Sequence, residues 1–259
     1  LGMIICHSYK FVFIKTMKTA GTSLEVALAR ACGPEDIISR IVPPEPELNQ
    51  MPWLNFRNAK IPDRRSGKPR VIRQHSGLKS AISILGSKIR DYRIITSERN
   101  PWEKMVSSFY WKLHQTPEQV LEPDQTLEAL GPTEMQGLFR KFVLSPVKDP
   151  CEAFHMYSHQ WVPLIDNLIR YECIEEDLSR VAKSLGLPVS VKLSDVRSKS
   201  GIRPQKTNVN LTFDNEMDNA VRLRFAREIA NFGYTSSTAS APLYQPPDWR
   251  EVWRSAAFR

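Results

Sequence analysis

The stretch from Lys10 to Cys32 constrains the fold of this chain more than any other. Lys10-Phe-Val-Phe-Ile-Lys-Thr16 is a short apolar run of β-forming residues and reads as a buried strand. Lys18-Thr19-Ala20-Gly21-Thr22-Ser23 follows as a glycine-containing turn, and a helix is expected from about Thr22 to Cys32. There Leu24, Ala27, Leu28 and Ala31 fall at i, i+3, i+4 and i+7 and form one apolar face. Strand, turn and helix in that order open a βαβ unit. Such a turn presents backbone N–H groups at a helix N-terminus, where the dipole favours an anion. Lys18 to Ser23 therefore reads as a phosphate-binding loop. Gly21 lets the backbone approach closely, and the hydroxyls of Thr19, Thr22 and Ser23 add donors. An ATP-binding loop needs Gly-x-x-x-x-Gly-Lys-[Ser/Thr], whereas here the lysine precedes the glycine and the second glycine is missing. A kinase or nucleotide phosphotransferase of that type is thereby disfavoured. An ordinary strand-to-helix turn has the same outline, so the loop needs a companion motif.

Tyr92-Arg-Ile-Ile-Thr-Ser97 supplies a second strand running into Arg99-Asn100-Pro101. Asn100 is placed to cap a helix and Pro101 suits its first position. Met105, Val106, Phe109 and Leu113 then form the inner face of that helix. Arg99 can grip a phosphate through two parallel hydrogen bonds, and Ser107, eight residues on, can add another. The two motifs together resemble those of the PAPS-dependent sulfotransferases (PAPS, 3′-phosphoadenosine 5′-phosphosulfate). Ile14-Lys15-Thr16-Met17-Lys18-Thr-Ala-Gly-Thr-Ser23 looks like their 5′-phosphosulfate loop, and Arg99 to Ser107 looks like their 3′-phosphate motif. The likeness is closest to the carbohydrate sulfotransferases and their bacterial relatives. Asp166-Asn-Leu-Ile-Arg-Tyr-Glu172, Glu176-Asp177-Leu178 and Leu185-Gly-Leu187 resemble the region that joins their helical second half. Two positions depart from the pattern: Met17 stands where proline is common, and Glu98 where an apolar or small residue is usual.

The resemblance implies a P-loop-like, three-layer α/β fold with a central, mostly parallel sheet and a helical second half. It implies one domain over residues 1–234, followed by a peripheral tail at 235–259. It also implies direct in-line transfer of a sulfuryl group from PAPS to an acceptor hydroxyl, a saccharide's by preference, with no metal and with adenosine 3′,5′-bisphosphate as product. Lys18 would hold the 5′-phosphosulfate together with Thr19, Ala20, Gly21, Thr22 and Ser23, and would stabilise charge on the leaving phosphate oxygen. Arg99 and Ser107 would hold the 3′-phosphate, which ATP lacks. Lys199 and Arg203, in the late basic stretch Arg197-Ser-Lys199-Ser-Gly201-Ile-Arg203, would add nucleotide contacts or form a solvated turn. His75 is the leading candidate for the base, with helix capping as its other reading and Glu98 as a rival base.

Residues 42–70 carry six prolines that exclude regular helix, with Trp53 and Phe56 in the middle and a basic end. This stretch reads as a loop or lid over the acceptor. Beyond the second motif, helices are expected near 134–143, 151–170, 173–185 and 213–232, with Gly186 and Gly233 as stops. Cys151, His155 and His159 recur every four residues and would share a helical face as metal ligands. No fourth ligand accompanies them, so packing on a helix face is the preferred reading. A net charge of +8 favours an anionic partner without choosing among nucleotide, acidic glycan, nucleic acid and membrane. A non-catalytic polyanion binder is thus a further alternative, though the motifs point away from nucleic acid and membrane. The four cysteines form no Cys-x-x-Cys pair and read as reduced thiols. No apolar run approaches the roughly 18–20 residues of a membrane span, and a cytoplasmic chain is expected. A homodimer, with the tail reaching a second subunit, stays open.

Overall fold

Met3–Cys6 form strand β1 and Phe11–Ile14 form β2, and all eight residues are fully buried. Neither strand alternates in sequence because both of its faces are covered. The other strands are β3 (Ile37–Ile38), β4 (Lys60–Pro62), β5 (Pro69–Val71), β6 (Arg93–Glu98), β7 (Ser158–His159), β8 (Val162–Pro163) and β9 (Asn167–Arg170). The helices are α1 (Gly21–Ala29), α2 (Leu78–Leu85), α3 (Pro101–Gln115), α4 (Pro132–Leu144), α5 (Ile174–Ser184), α6 (Asn215–Arg224) and α7 (Ala226–Phe232). The structure, a computed structural model, describes residues 2–39, 51, 53–54, 58, 60–62, 69–71, 76–123, 125–147, 151–159, 161–188, 191–193, 210–236 and 241–250. Three candidate residues, His75, Lys199 and Arg203, lie outside them.

The chain divides into two compact units, one made of Leu1–Glu98, Ala153–Ser198 and Leu243–Arg259, the other of Arg99–Glu152 and Lys199–Pro242. The first holds a five-stranded sheet in the order β3-β1-β2-β6-β9. β2, β6 and β9 run parallel, as α/β crossovers require, whereas β1 pairs antiparallel with both β2 and β3. The sheet is therefore mixed, with four of its five strands running in one direction and β1 opposing them. Only four residues, His7 to Lys10, separate β1 from β2, and a link that short can return the chain only antiparallel. α1 lies on the sheet, its Leu24, Val26, Ala27 and Leu28 sharing one core with Ile4, Phe11, Phe13, Ile95 and Ile169 and with Leu178 and Val181 of α5. A hydrogen-bonded ion pair ties β9 to α5: Arg170 donates through Nε to Asp177 Oδ2 at 2.7 Å and through NH2 to Oδ1 at 2.8 Å.

The helix expected over 151–170 is not formed. Phe154–Met156 make a single 3-10 turn, β7 and β8 form a short antiparallel hairpin, and β9 completes the sheet. Trp161, at φ 67°, reverses the chain between the two hairpin strands, and Pro163 has no N–H for a helix. Cys151, His155 and His159 consequently share no helical face: they fall in a turn, a 3-10 turn and a strand. The helix expected over 213–232 is two helices, broken at Phe225.

The second unit is helical. Phe109 of α3 packs against Phe139 and Phe142 of α4, with ring centroids 5.2 and 5.6 Å apart. Phe139 in turn meets Phe213 just before α6. Arg140 of α4 pairs with Asp214 and Glu216, and Trp102 Nε1 donates to Asp218 Oδ1 at 2.8 Å. These contacts gather α3, α4 and α6 around Phe109, Phe139 and Val221.

Residues 243–250 of the tail belong to the first unit. Trp249 is 1% exposed, and Arg250 donates to both oxygens of Asp166 and to the carbonyls of Arg90 and Tyr92. Among the described residues no helix is long and apolar enough to cross a membrane.

Candidate functional site

Parallel pairing places the C-terminal ends of β2 and β6 side by side, with Ile14 opposite Thr96, so Ser97 and Glu98 run beyond the end of β2. Ligands of open α/β sheets bind at this edge. The chain leaves β2 through Lys15 and Thr16 and turns into α1 over Met17 to Ala20. Two residues of this turn are left-handed without being glycine: Lys18 at φ 63° and Ala20 at φ 56°. Such a conformation costs an L-residue about 1–2 kcal/mol and, where it is retained, points to a functional constraint. Ala20 is the N-cap of α1 and supplies no side-chain cap, and the first turn of α1 carries no acidic residue. The helix therefore begins with backbone donors that its own side chain does not satisfy, at the positive end of its dipole. That arrangement suits an anion.

The two lysines of the loop differ in kind. Lys15 is 5% exposed, and its Nζ lies 2.9 Å from Oε2 of the fully buried Glu25. It is a structural charge that fastens the start of the loop to α1. Lys18 sits at the strained crest and is half-buried.

Thr19 departs from expectation. Its hydroxyl is fully buried, lies 3.0 Å from Thr16 Oγ1 and 2.8 Å from Ser97 Oγ, while Thr16 Oγ1 donates to the Ser97 carbonyl. The Thr19 side chain thus moors the loop to the end of β6 and leaves only its amide for an anion. Thr16 and Ser97, which the sequence did not single out, complete this mooring. Gly21 also has a packing reason: a Cβ there would stand 2.6 Å from Lys15 Cγ and 2.9 Å from the Thr16 carbonyl oxygen. Glycine is needed because the loop folds back on its own start.

Arg99 precedes α3, whose N-cap Asn100 accepts from the Trp102 amide at 3.1 Å, with Pro101 in the first position. Arg99 is 7% exposed, and its NH2 lies 3.1 Å from Glu103 Oε2. Glu103 and Ser107 are four residues apart and so occupy one face of α3. The guanidinium is thereby held on the face that carries the half-buried Ser107.

Glu98 is fully buried and accepts a hydrogen bond from Tyr157 Oη at 2.8 Å. A carboxylate so enclosed has no surface to offer an acceptor hydroxyl. α2 begins at Leu78 with Gly77 as its N-cap, where a Cβ would lie 2.4 Å from the Met156 carbonyl oxygen, so the cap position belongs to a glycine two residues past His75. Trp53 packs over the Arg30 guanidinium at 4.5 Å, and Asn58 donates to the carbonyls of Pro34 and Asp36. These residues of the 42–70 stretch dock at the far end of α1 from the loop.

Comparison with curated proteins and with solved structures finds no match. The model of a family described as the sulfotransferase family matches residues 1–234, which include the loop after β2, the Arg99 to Ser107 motif and both compact units up to α7. This chain belongs to the sulfotransferase family.

Proposed function

We propose that this transferase moves the sulfuryl group of PAPS to a hydroxyl of a saccharide acceptor by direct in-line displacement. The observation that carries the reading is the loop between β2 and α1: two left-handed non-glycine residues, an N-cap without a side-chain acceptor, and Lys18 at the crest. In this reading the amides of Thr19 to Ser23 and the Lys18 ammonium receive the 5′-phosphosulfate. Arg99 and Ser107 receive the 3′-phosphate from one face of α3, and Lys199 and Arg203 add contacts to the nucleotide.

The acceptor oxygen attacks sulfur, a new O–S bond forms, and the S–O bond to the 5′-phosphate breaks. The electron pair of that bond passes to the phosphate oxygen, where Lys18 balances the developing charge. Preorganised charge of this kind is the main source of rate in such sites. The hydroxyl proton goes to a base, and His75 is our assignment: its ordinary pKa of about 6.5 suits the task near neutral pH. Burial of Glu98 against Tyr157 argues against the rival carboxylate. The products are a sulfate ester and adenosine 3′,5′-bisphosphate. No step calls for a metal.

Ligand-dependent melting tests the donor assignment. At a hundredfold excess over Kd a ligand stabilises by about 2.7 kcal/mol, which in a chain of this size raises Tm by about 5–10 °C. Adenosine 3′,5′-bisphosphate should produce that rise, whereas ATP with Mg²⁺ and heparin should not. A rise with heparin or ATP alone would overturn the assignment.

A further inference from the structure

Cys6 ends β1, Cys32 follows the last turn of α1, and Asp36 stands immediately before β3. Three segments separate in sequence thus bring two thiols and a carboxylate to the end of the sheet opposite the loop. Their ligand atoms all lie within 4.8 Å of one another, and Cys6 Sγ is 3.3 Å from Asp36 Oδ2. A four-coordinate zinc ion with bonds of about 2.0–2.3 Å holds its ligand atoms about 3.3–3.8 Å apart, so small side-chain adjustments would complete such a triangle. The carboxylate is already oriented: the His7 amide donates to Oδ1 at 2.6 Å and the Gly33 amide to Oδ2 at 2.7 Å. The backbone behind it is pinned as well, since Asn58 Nδ2 donates to the Asp36 carbonyl at 3.0 Å. Hydrogen bonds that fix a ligand's orientation before the ion arrives are a regular part of metal sites. Cys6 is fully buried and Cys32 is half-buried, so the group has a closed side and a side open to entry.

We propose that Cys6, Cys32 and Asp36 form a binding site for one thiophilic divalent cation of the zinc type, with water in the fourth position. Binding releases the two thiol protons to solvent, and the dication offsets two of the three negative charges of the thiolates and the Asp36 carboxylate, leaving the site with a net charge of -1. The third ligand favours a cation over a Cys6–Cys32 disulfide, which would leave Asp36 without a role beyond its turn. Cys6 is paired with Phe11, and Lys15 lies four residues further along, about 13 Å at 3.3 Å per residue. The ion therefore acts on architecture and not on the reacting sulfur: it staples β1 and β3 to the far end of α1, the helix whose near end begins at the loop.

The test uses the whole chain after chelator treatment. Titration with Cd²⁺ should give a thiolate-to-metal absorption band saturating at one equivalent, reversed by Zn²⁺ and at least tenfold weaker in Cys32→Ser. Zn²⁺ should raise Tm by several degrees in the wild type and not in Cys32→Ser. A second readout needs no variant: Zn²⁺ should slow alkylation of Cys32 at least tenfold, read peptide by peptide, while Cys173 is unaffected. Absence of the band, equal bands in both proteins, protection of Cys173 instead, or a Cys6–Cys32 disulfide forming in air without any cation effect would each overturn the proposal.

Discussion

Lys15 and Lys18 stand three residues apart in one motif, and the proposed mechanism gives them opposite jobs. Lys15 pairs at 2.9 Å with Glu25, and the two side chains are 6% and 0% exposed. Lys15→Met would leave the Glu25 carboxylate buried without its cation, which costs about 3–5 kcal/mol. At about 2–4 °C per kcal/mol for a chain of this size, Tm should fall by about 6–20 °C. The double variant Lys15→Met/Glu25→Leu removes both charges and should recover most of that loss, because well-packed apolar replacements of a buried pair are close to neutral. Lys18→Met touches a half-buried crest, so stability should change by no more than about 0.5 kcal/mol, a Tm shift of about 1–2 °C. Its kcat with PAPS should instead fall by about 10²–10³. Thermal melts by circular dichroism and a coupled assay for adenosine 3′,5′-bisphosphate release separate the two effects. If Lys15→Met keeps its Tm and loses turnover, or Lys18→Met unfolds, the division of labour between the lysines is wrong.

Gly21→Ala forces a Cβ to within 2.9 Å of a backbone carbonyl that cannot swing away, so it should lower stability by about 1–3 kcal/mol and weaken adenosine 3′,5′-bisphosphate; an unchanged melt and affinity would refute the packing argument. Burial alone would raise the Asp177 carboxyl, but hydrogen bonds from Arg170 and Arg180 hold it below its ordinary 3.8. Its stabilisation is thus complete above that value and disappears as pH falls through the lower, folded-state value. Melts from pH 5 to pH 2 should show this loss, and Arg170→Met/Asp177→Leu should flatten the slope. Glu103→Gln releases the buried Arg99 from an i,i+4 pair with an exposed carboxylate, so adenosine 3′,5′-bisphosphate should bind at least about twofold tighter by calorimetry; tenfold weaker binding would make Glu103 an orienter of Arg99.

The elements nearest the loop were legible because local chemistry and tertiary demand agree there. Asn100 and Pro101 announce the start of α3, and Phe11 to Ile14 have no reading but a buried strand. The 151–170 stretch misled because Cys151, His155 and His159 mimic a helical spacing while the chain is turned by Trp161, a left-handed residue that no propensity foretells. β1 was invisible as a separate strand: four residues, all buried, carry no period. Within the site, residue types could be read but directions could not. Thr19 was read as a ligand donor, yet its hydroxyl is turned inward by Ser97, 78 positions away, and Glu98 is enclosed by Tyr157, 59 positions away. Partners that distant leave no local trace. The resemblance singled out Lys18, but the structural role of Lys15 became visible only once Glu25 was seen beneath it.

Sulfuryl transfer from PAPS through the loop after β2 is tested by following the sulfur. The protein is incubated with sulfur-labelled PAPS and a panel of saccharides, and both label transfer and nucleotide release are measured. Labelled sulfate ester and adenosine 3′,5′-bisphosphate should form in equal amounts, dependent on a saccharide and reduced about 10²–10³-fold in Lys18→Met. No transfer to any saccharide, or transfer that survives Lys18→Met undiminished, would contradict it.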